Sequence, residues 1–277
     1  MRWTPGRRSA NIEDRRGMSV GRGVGIGGGL IALLLSLFFG TDLFTPASEG
    51  DYGVEQPTDA PVRSTPEEER MVLFVSFVLD STQSTWAEVF PSLGAQYRDA
   101  RLVLFRDAVQ SACGIAGSAT GPFYCPPDER VYVDLGFFDE LRSRFGAPGD
   151  FAQAYVLAHE IGHHVQNLLG IEQQVRSGMQ RGGRRANELS VRLELQADCL
   201  AGIWGHRAAR QGLLESGDVE EGIGAAAAVG DDRIQRMSTG QVSPESWTHG
   251  SSAQRVRWFR RGLESGQVQD CDTFGRR

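Results

Sequence analysis

No two of the four cysteines stand in CxxC spacing, which excludes a thiolate zinc site of the finger or ribbon kind. No glycine-rich phosphate loop, RNA-binding signature or internal repeat occurs. The body of the chain also lacks the positive balance that nucleic acid demands. Residues 1–22 carry six arginines against Glu13 and Asp14, so a net charge of −6 leaves the remainder near −10. Nucleic acid is therefore set aside as a partner. A further absence is local: no charged residue occurs from Gly23 to Thr41.

That uncharged stretch contains GVGIGGGLIALLLSLFFG, about 18 residues against the roughly 20 that cross a bilayer. Arginines precede it and Asp42 follows it, so the positive-inside rule puts the N-terminus in the cytoplasm. The division expected from this is a basic cytoplasmic tail at 1–22 and a transmembrane signal anchor at 23–41. A proline-rich acidic linker at 42–66 and a folded domain at 67–277 follow, the domain lying in the periplasm or outside the cell. The competing readings are a buried core helix and a cleaved signal peptide, for which Thr45-Pro46-Ala47-Ser48 is a weak site. Four cysteines suit an oxidising compartment. A Cys113–Cys125 disulfide would close a short Gly/Pro-rich loop, and Cys199–Cys271 would tie the C-terminal tail to a helix.

Within the domain, His159-Glu160-Ile161-Gly162-His163 forms an HExxH motif. Residues four apart on a helix lie nearly above one another, so both imidazoles share a face and can grip one zinc ion. Glu160 is placed to act as general base on a metal-bound water. The flanks predict a helix, with Asp150 as N-cap, Gln153 completing a capping-box-like start, an apolar stripe of Ile161, Val165 and Leu168, and Gly170 as stop.

A third ligand is required. His164 lies about 100° round the helix from His163 and points elsewhere. Gln166 and Leu169 stand where the HExxHxxGxxH form needs Gly and His, so that form is excluded. His206 and His249 are possible, but Glu194 in Glu194-Leu195-Gln196-Ala197-Asp198 is the better candidate. Glu194 can bind zinc while Asp198, one turn on, hydrogen-bonds a ligand histidine. Ala197 and Gly162 are small enough for close helix approach, and Cys199, about 140° from Glu194, faces away. The chemistry expected is peptide hydrolysis, with His249 assisting the oxyanion and Tyr155 or Tyr132 touching substrate. The alternative is a non-catalytic zinc-stabilised binding or scaffold module at the membrane.

The remaining chain predicts an α+β, mainly helical fold with a small sheet before the HExxH helix. The run 71–79, MVLFVSFVL, is either a buried strand or the opening of a helix that turns Trp86, Val89 and Phe90 inward. Residues 101–105 and 131–135 are strands, the second being a candidate edge for pairing with extended peptide. A short helix spans 137–145, a Gly/Arg-rich loop 177–185, and helices 187–210 and 218–237, capped by Asn187 and Asp218. In the final helix, 252–262, Arg255, Arg257, Arg260 and Arg261 form a solvated face.

Several stretches together resemble the bacterial neutral zinc metallopeptidases anchored by one N-terminal helix. They are Asp80-Ser81-Thr82-Gln83 with Trp86, Gly121-Pro122-Phe123-Tyr124-Cys125-Pro126, Ala154-Tyr155-Val156 with HEIGHHVQ at 159–166, ELQADC at 194–199, HGSSAQR at 249–255 and Cys271-Asp272-Thr273-Phe274. The resemblance covers residues 80–274. It implies a zincin-like, gluzincin-type peptidase domain binding one Zn2+ through His159, His163 and Glu194, with Glu160 as base and proteins or peptides as substrate.

Overall fold

The computed structural model describes residues 1–18, 62, 64–180 and 182–275. The apolar run at 23–41 lies outside them. Among the described residues no helix is long and apolar enough to cross a membrane.

The ambiguous run at 71–79 is helical, inside α1 (Pro66–Val89). A full capping box decides its start: Thr65 Oγ1 accepts from the Glu68 amide and the Glu68 carboxylate accepts from the Thr65 amide. Glu67, Glu68 and Glu69 complement the helix dipole. Val72, Val75, Leu79, Trp86 and Phe90 are buried, as the inward-facing pattern requires.

Two strands are central to the sheet, β2 (Arg101–Phe105) and β6 (Arg130–Asp134), paired in parallel. The edge strands are β5 (Phe123–Cys125), antiparallel to β6, and β1 (Ile12–Asp14), parallel to β2, giving the order β1-β2-β6-β5. A separate hairpin of β3 (Ala108–Ser111) and β4 (Gly114–Gly117) follows β2. The period-2 alternation splits the sheet between two cores. Leu102, Leu104, Val131 and Val133 face the helices, while Val103, Phe105 and Tyr132 pack with Phe123 and Val109 on the other side. Strand 131–135 is therefore internal, not an edge; the edge next to the helices' cleft is β5.

Residues 1–18, within the stretch expected to be a basic tail, pack on the folded domain. Ile12–Asp14 add a strand to β2, with Ile12 opposite Leu102. Trp3 packs edge-on to Phe74 with ring centroids 5.2 Å apart. Arg16 is buried and forms a fork with Asp14 (Nε–Oδ1 2.9 Å, Nη2–Oδ2 2.7 Å), while also reaching Glu69 at 3.3 Å. The Met1 ammonium bonds Asp150 at 2.5 Å and Asp218 at 3.2 Å. Arg8, Arg15 and Arg16 find carboxylate partners on their own segment and on α1.

Beyond the sheet come α2 (Gly136–Ser143), α3 (Asp150–Leu168), α4 (Ile171–Met179), α5 (Gly183–Arg210), α6 (Asp218–Ala228), α7 (Asp231–Ser238) and α8 (Ser252–Ser265). Helix α3 ends where Gly170 takes a left-handed φ of 71°, as expected. Asp150 is its first residue rather than its cap, because its carboxylate is turned to Met1; Glu221 of α6 accepts from the Phe151 amide instead. Helices α4 and α5 together occupy much of the predicted 177–185 loop. A break at Val229–Gly230 divides the predicted helix 218–237 into α6 and α7.

Helices α5 and α8 approach so closely that a Cβ on Gly262 would overlap the carbonyl oxygen of Cys199. The Cys199–Cys271 disulfide closes the same contact from the tail, and Cys113–Cys125 joins the β3–β4 turn to β5. Both cysteine pairings are those the sequence suggests.

Candidate metal centre and cleft

Helices α3 and α5 cross at Gly162, where a Cβ would lie 3.0 Å from the Ala197 carbonyl oxygen. Contact at this range brings HExxH and ELQAD together. His159 Nε2 lies 3.2 Å from Glu194 Oε2 and 3.2 Å from His163 Nε2, and His163 Nε2 lies 3.4 Å from Glu194 Oε1. For ligands about 2.0–2.2 Å from a tetrahedral zinc, neighbouring donor atoms fall roughly 3.4 Å apart. The three donors have that spacing, and His2Glu is a donor set of catalytic rather than structural zinc sites.

Proton placement supports the same fit. His159 Nδ1 sits 2.9 Å from Asp198 Oδ1, and His163 Nδ1 sits 2.9 Å from Gln166 Oε1. Both partners accept, so both Nδ1 atoms donate and both Nε2 lone pairs converge on the centre. Burial would push the Glu194 carboxyl up, but the charges of His163 and His249 and the histidine hydrogen bonds outweigh it, holding Glu194 well below the usual carboxylate range.

Asp198 is itself clamped. Arg255 forms a fork to it (Nε–Oδ2 2.8 Å, Nη2–Oδ1 2.8 Å), and Tyr155 donates to Oδ1 at 2.5 Å. Arg255, expected on a solvated face, is 3% exposed. Its helix buries Arg255, Trp258, Phe259 and Gly262, a 3–4–7 stripe in which the arginine is the charged member. That spacing was the signal available in the sequence. Desolvating the guanidinium and the carboxylate is costly, and the two-pronged bond between them, with the hydrogen bonds of Tyr155 and His159 to Asp198, offsets that cost.

The centre opens on a cleft of about 170 Å³. Its polar rim includes Glu160, His249, Glu140 and Thr120, and its walls include Phe123, Phe137, Phe145, Val156 and Ile234. Burial pushes the Glu160 carboxyl up, with the charges of His159 and His163 opposing. His249 is carried on the turn before α8. Asp231, the first residue of α7, accepts from the amides of Thr248, His249 and Gly250 at 2.7–2.9 Å, and its Oδ1 lies 3.2 Å from His249 Nδ1. Gln166 and Arg255 close the stretches HEIGHHVQ and HGSSAQR without a role read from them in the sequence, and Asp231 lies in no motif at all.

The other expected residues separate. Tyr132 belongs to the far core, stacked on Phe123 and donating to Asp128, so it does not face the cleft. Tyr155 lines the cleft but is buried, and its hydroxyl donates to Asp198. His164 bonds the Tyr124 hydroxyl and the Arg98 carbonyl, and His206 the Leu263 carbonyl; neither approaches the centre.

Residues 1–274 match the family described as "Putative neutral zinc metallopeptidase". Uncharacterized protein YpfJ of Escherichia coli K12 is 46% identical over 288 aligned residues, spanning 100% of this chain and 99% of its own. Uncharacterized protein Rv2575 of Mycobacterium tuberculosis H37Rv is 44% identical over 206 residues, 70% of this chain and 68% of its own. No solved structure matches.

Proposed function

Since the chain belongs to the neutral zinc metallopeptidase family, we propose that it hydrolyses peptide bonds in a protein or peptide substrate at the His159–His163–Glu194 centre. The observation that carries this reading is the convergence of three zinc-type donors at the foot of a cleft that also holds an unligated acid, Glu160. A zinc ion bound there would supply Lewis acidity to a water molecule and to the scissile carbonyl. Glu160 takes the proton of the attacking water and returns it to the leaving amine. His249, oriented by Asp231, donates toward the developing oxyanion. The side of β5 that no described strand pairs offers backbone groups to an extended substrate, and the aromatic walls receive one bulky apolar side chain.

A purely structural zinc site has no use for an acid beside its ligands, which favours catalysis over a zinc-stabilised binding module. The test is Glu160→Gln: zinc content stays at one per chain while cleavage of casein or a peptide library is lost. Cleavage at the wild-type rate would remove the base from the mechanism.

We place the domain outside the cytoplasm and attach it to the membrane through 23–41. The apolar run with its basic flank and the two disulfides support this. The packing of residues 1–18 on β2 and α1 speaks against an N-terminus on the opposite side of the bilayer from the domain. Paired Ile12→Cys and Leu102→Cys substitutions decide the point in intact cells. A cross-link puts both segments on one side; its absence, with the domain shown to be exported, restores the single crossing.

A further inference from the structure

We infer that the C-terminal tail orients the candidate ligand His163 through a relay of two buried glutamines, Gln166 and Gln196. The inference rests on the zinc reading above. The relay has a direction. Cys271 O can only accept, and it receives the Gln196 Nε2 donor at 3.0 Å. Gln196 therefore turns Oε1 the other way, where Gln166 Nε2 donates to it at 3.1 Å and to Leu193 O at 2.7 Å. Gln166 must then present Oε1 to His163 Nδ1, 2.9 Å away. That acceptor puts the proton on Nδ1 and leaves the Nε2 lone pair pointing at Glu194.

Both glutamines are buried, Gln166 completely and Gln196 to 7% exposure, so a lost partner is poorly replaced by solvent. The terminal carbonyl is held in place by the Cys199–Cys271 disulfide, whose other half lies on α5, the helix that carries Glu194. The tail thus shares with Leu193 O the task of turning Gln166 toward one ligand, while bolted to the helix that supplies another. Gln166 and Gln196 are positioning residues; neither touches the candidate metal.

The test measures zinc affinity of the full chain by competition with a chromogenic chelator, with the His163 tautomer followed by 15N NMR. Loss of the direct partner in Gln166→Leu lowers affinity about 10–100-fold, the range for residues that orient a ligand. Gln196→Leu lowers it by about 10-fold, and both variants give a mixed His163 tautomer. Thr273→Val, which removes the tail's bond to Arg192 O but leaves the relay intact, stays within about twofold of wild type. Wild-type affinity and a pure Nδ1–H tautomer in either glutamine variant overturn the relay, as does an equal loss in Thr273→Val. A wild-type chain that binds no zinc overturns the peptidase reading itself, and the relay with it.

Discussion

The helices bearing the candidate ligands and the leading eighteen residues are fastened to the same domain by different means. Helices α3, α5 and α8 meet backbone to backbone, through Gly162, Ala197 and Gly262, and a disulfide ties the C-terminal tail to α5. The leading residues lie at a sheet edge and are held by ion pairs: Arg16 to Asp14 and Glu69, and the Met1 ammonium to Asp150 and Asp218. Close packing fixes atoms to tenths of an ångström, which a metal centre needs. Charge pairs at an edge hold a segment in place but depend on pH and salt. The precise part of the molecule is packed, and the part that only has to stay attached is paired.

The largest effect expected is on activity. Glu160→Gln should cut peptide hydrolysis about 10²–10⁴-fold, the range for a positioned base, with the thermal midpoint little changed. A large fall in midpoint would show that the acid holds the helices together and blur the distinction between site and scaffold.

Next comes Arg255→Met, which leaves the buried Asp198 carboxylate without its cation. Breaking a buried pair on one side costs about 3–5 kcal/mol, readable by urea denaturation. Restoring a cation with Arg255→Lys should recover little, since one ammonium cannot reproduce the two-pronged bond.

The same substitution in the N-terminal region, Arg16→Met, should cost less, about 1–3 kcal/mol. Its loss should be seen as faster amide exchange at Ile12–Asp14 with the helices unaffected. An Arg16 effect equal to that of Arg255 would break the comparison.

The smallest effect is a pH response. A hydrogen bond to Ser64 and the guanidinium groups of Arg8 and Arg16 draw Glu69 down to about 2, and Asp14 is lowered too, burial opposing the pull of Arg16. Depressed carboxylates stabilise the folded form fully above their unfolded values and lose that contribution as pH falls through the folded ones. The N-terminal strand should therefore loosen between about pH 4.5 and pH 2, monitored by Trp3 fluorescence, while the disulfide-tied helices keep their far-UV signal.

HExxH, ELQAD and both disulfides were legible because each depends on a short spacing or on a residue type with few roles. Gly162 and Ala197 were legible as small residues beside ligands. Arg255 was not, since four arginines in a short helix look alike until one knows which stripe packs. Strand β1 was harder still: three residues, Ile-Glu-Asp, among arginines carry no alternation. Asp231 escaped because its contribution is to gather three amides of a turn remote in sequence. The motif at 71–79 shows the limit of periodicity, as only the cap at Thr65 separates helix from strand there.

The pairing of Ile12 with Leu102 bears on the order in which the chain can acquire its shape. Strand β1 has to wait for a neighbour some ninety positions later, and joining them closes a long loop at an entropic cost that local helices do not meet. Refolding from denaturant should accordingly show helical ellipticity rising first and Trp3 becoming shielded last, so residues 3–14 are among the final parts to settle.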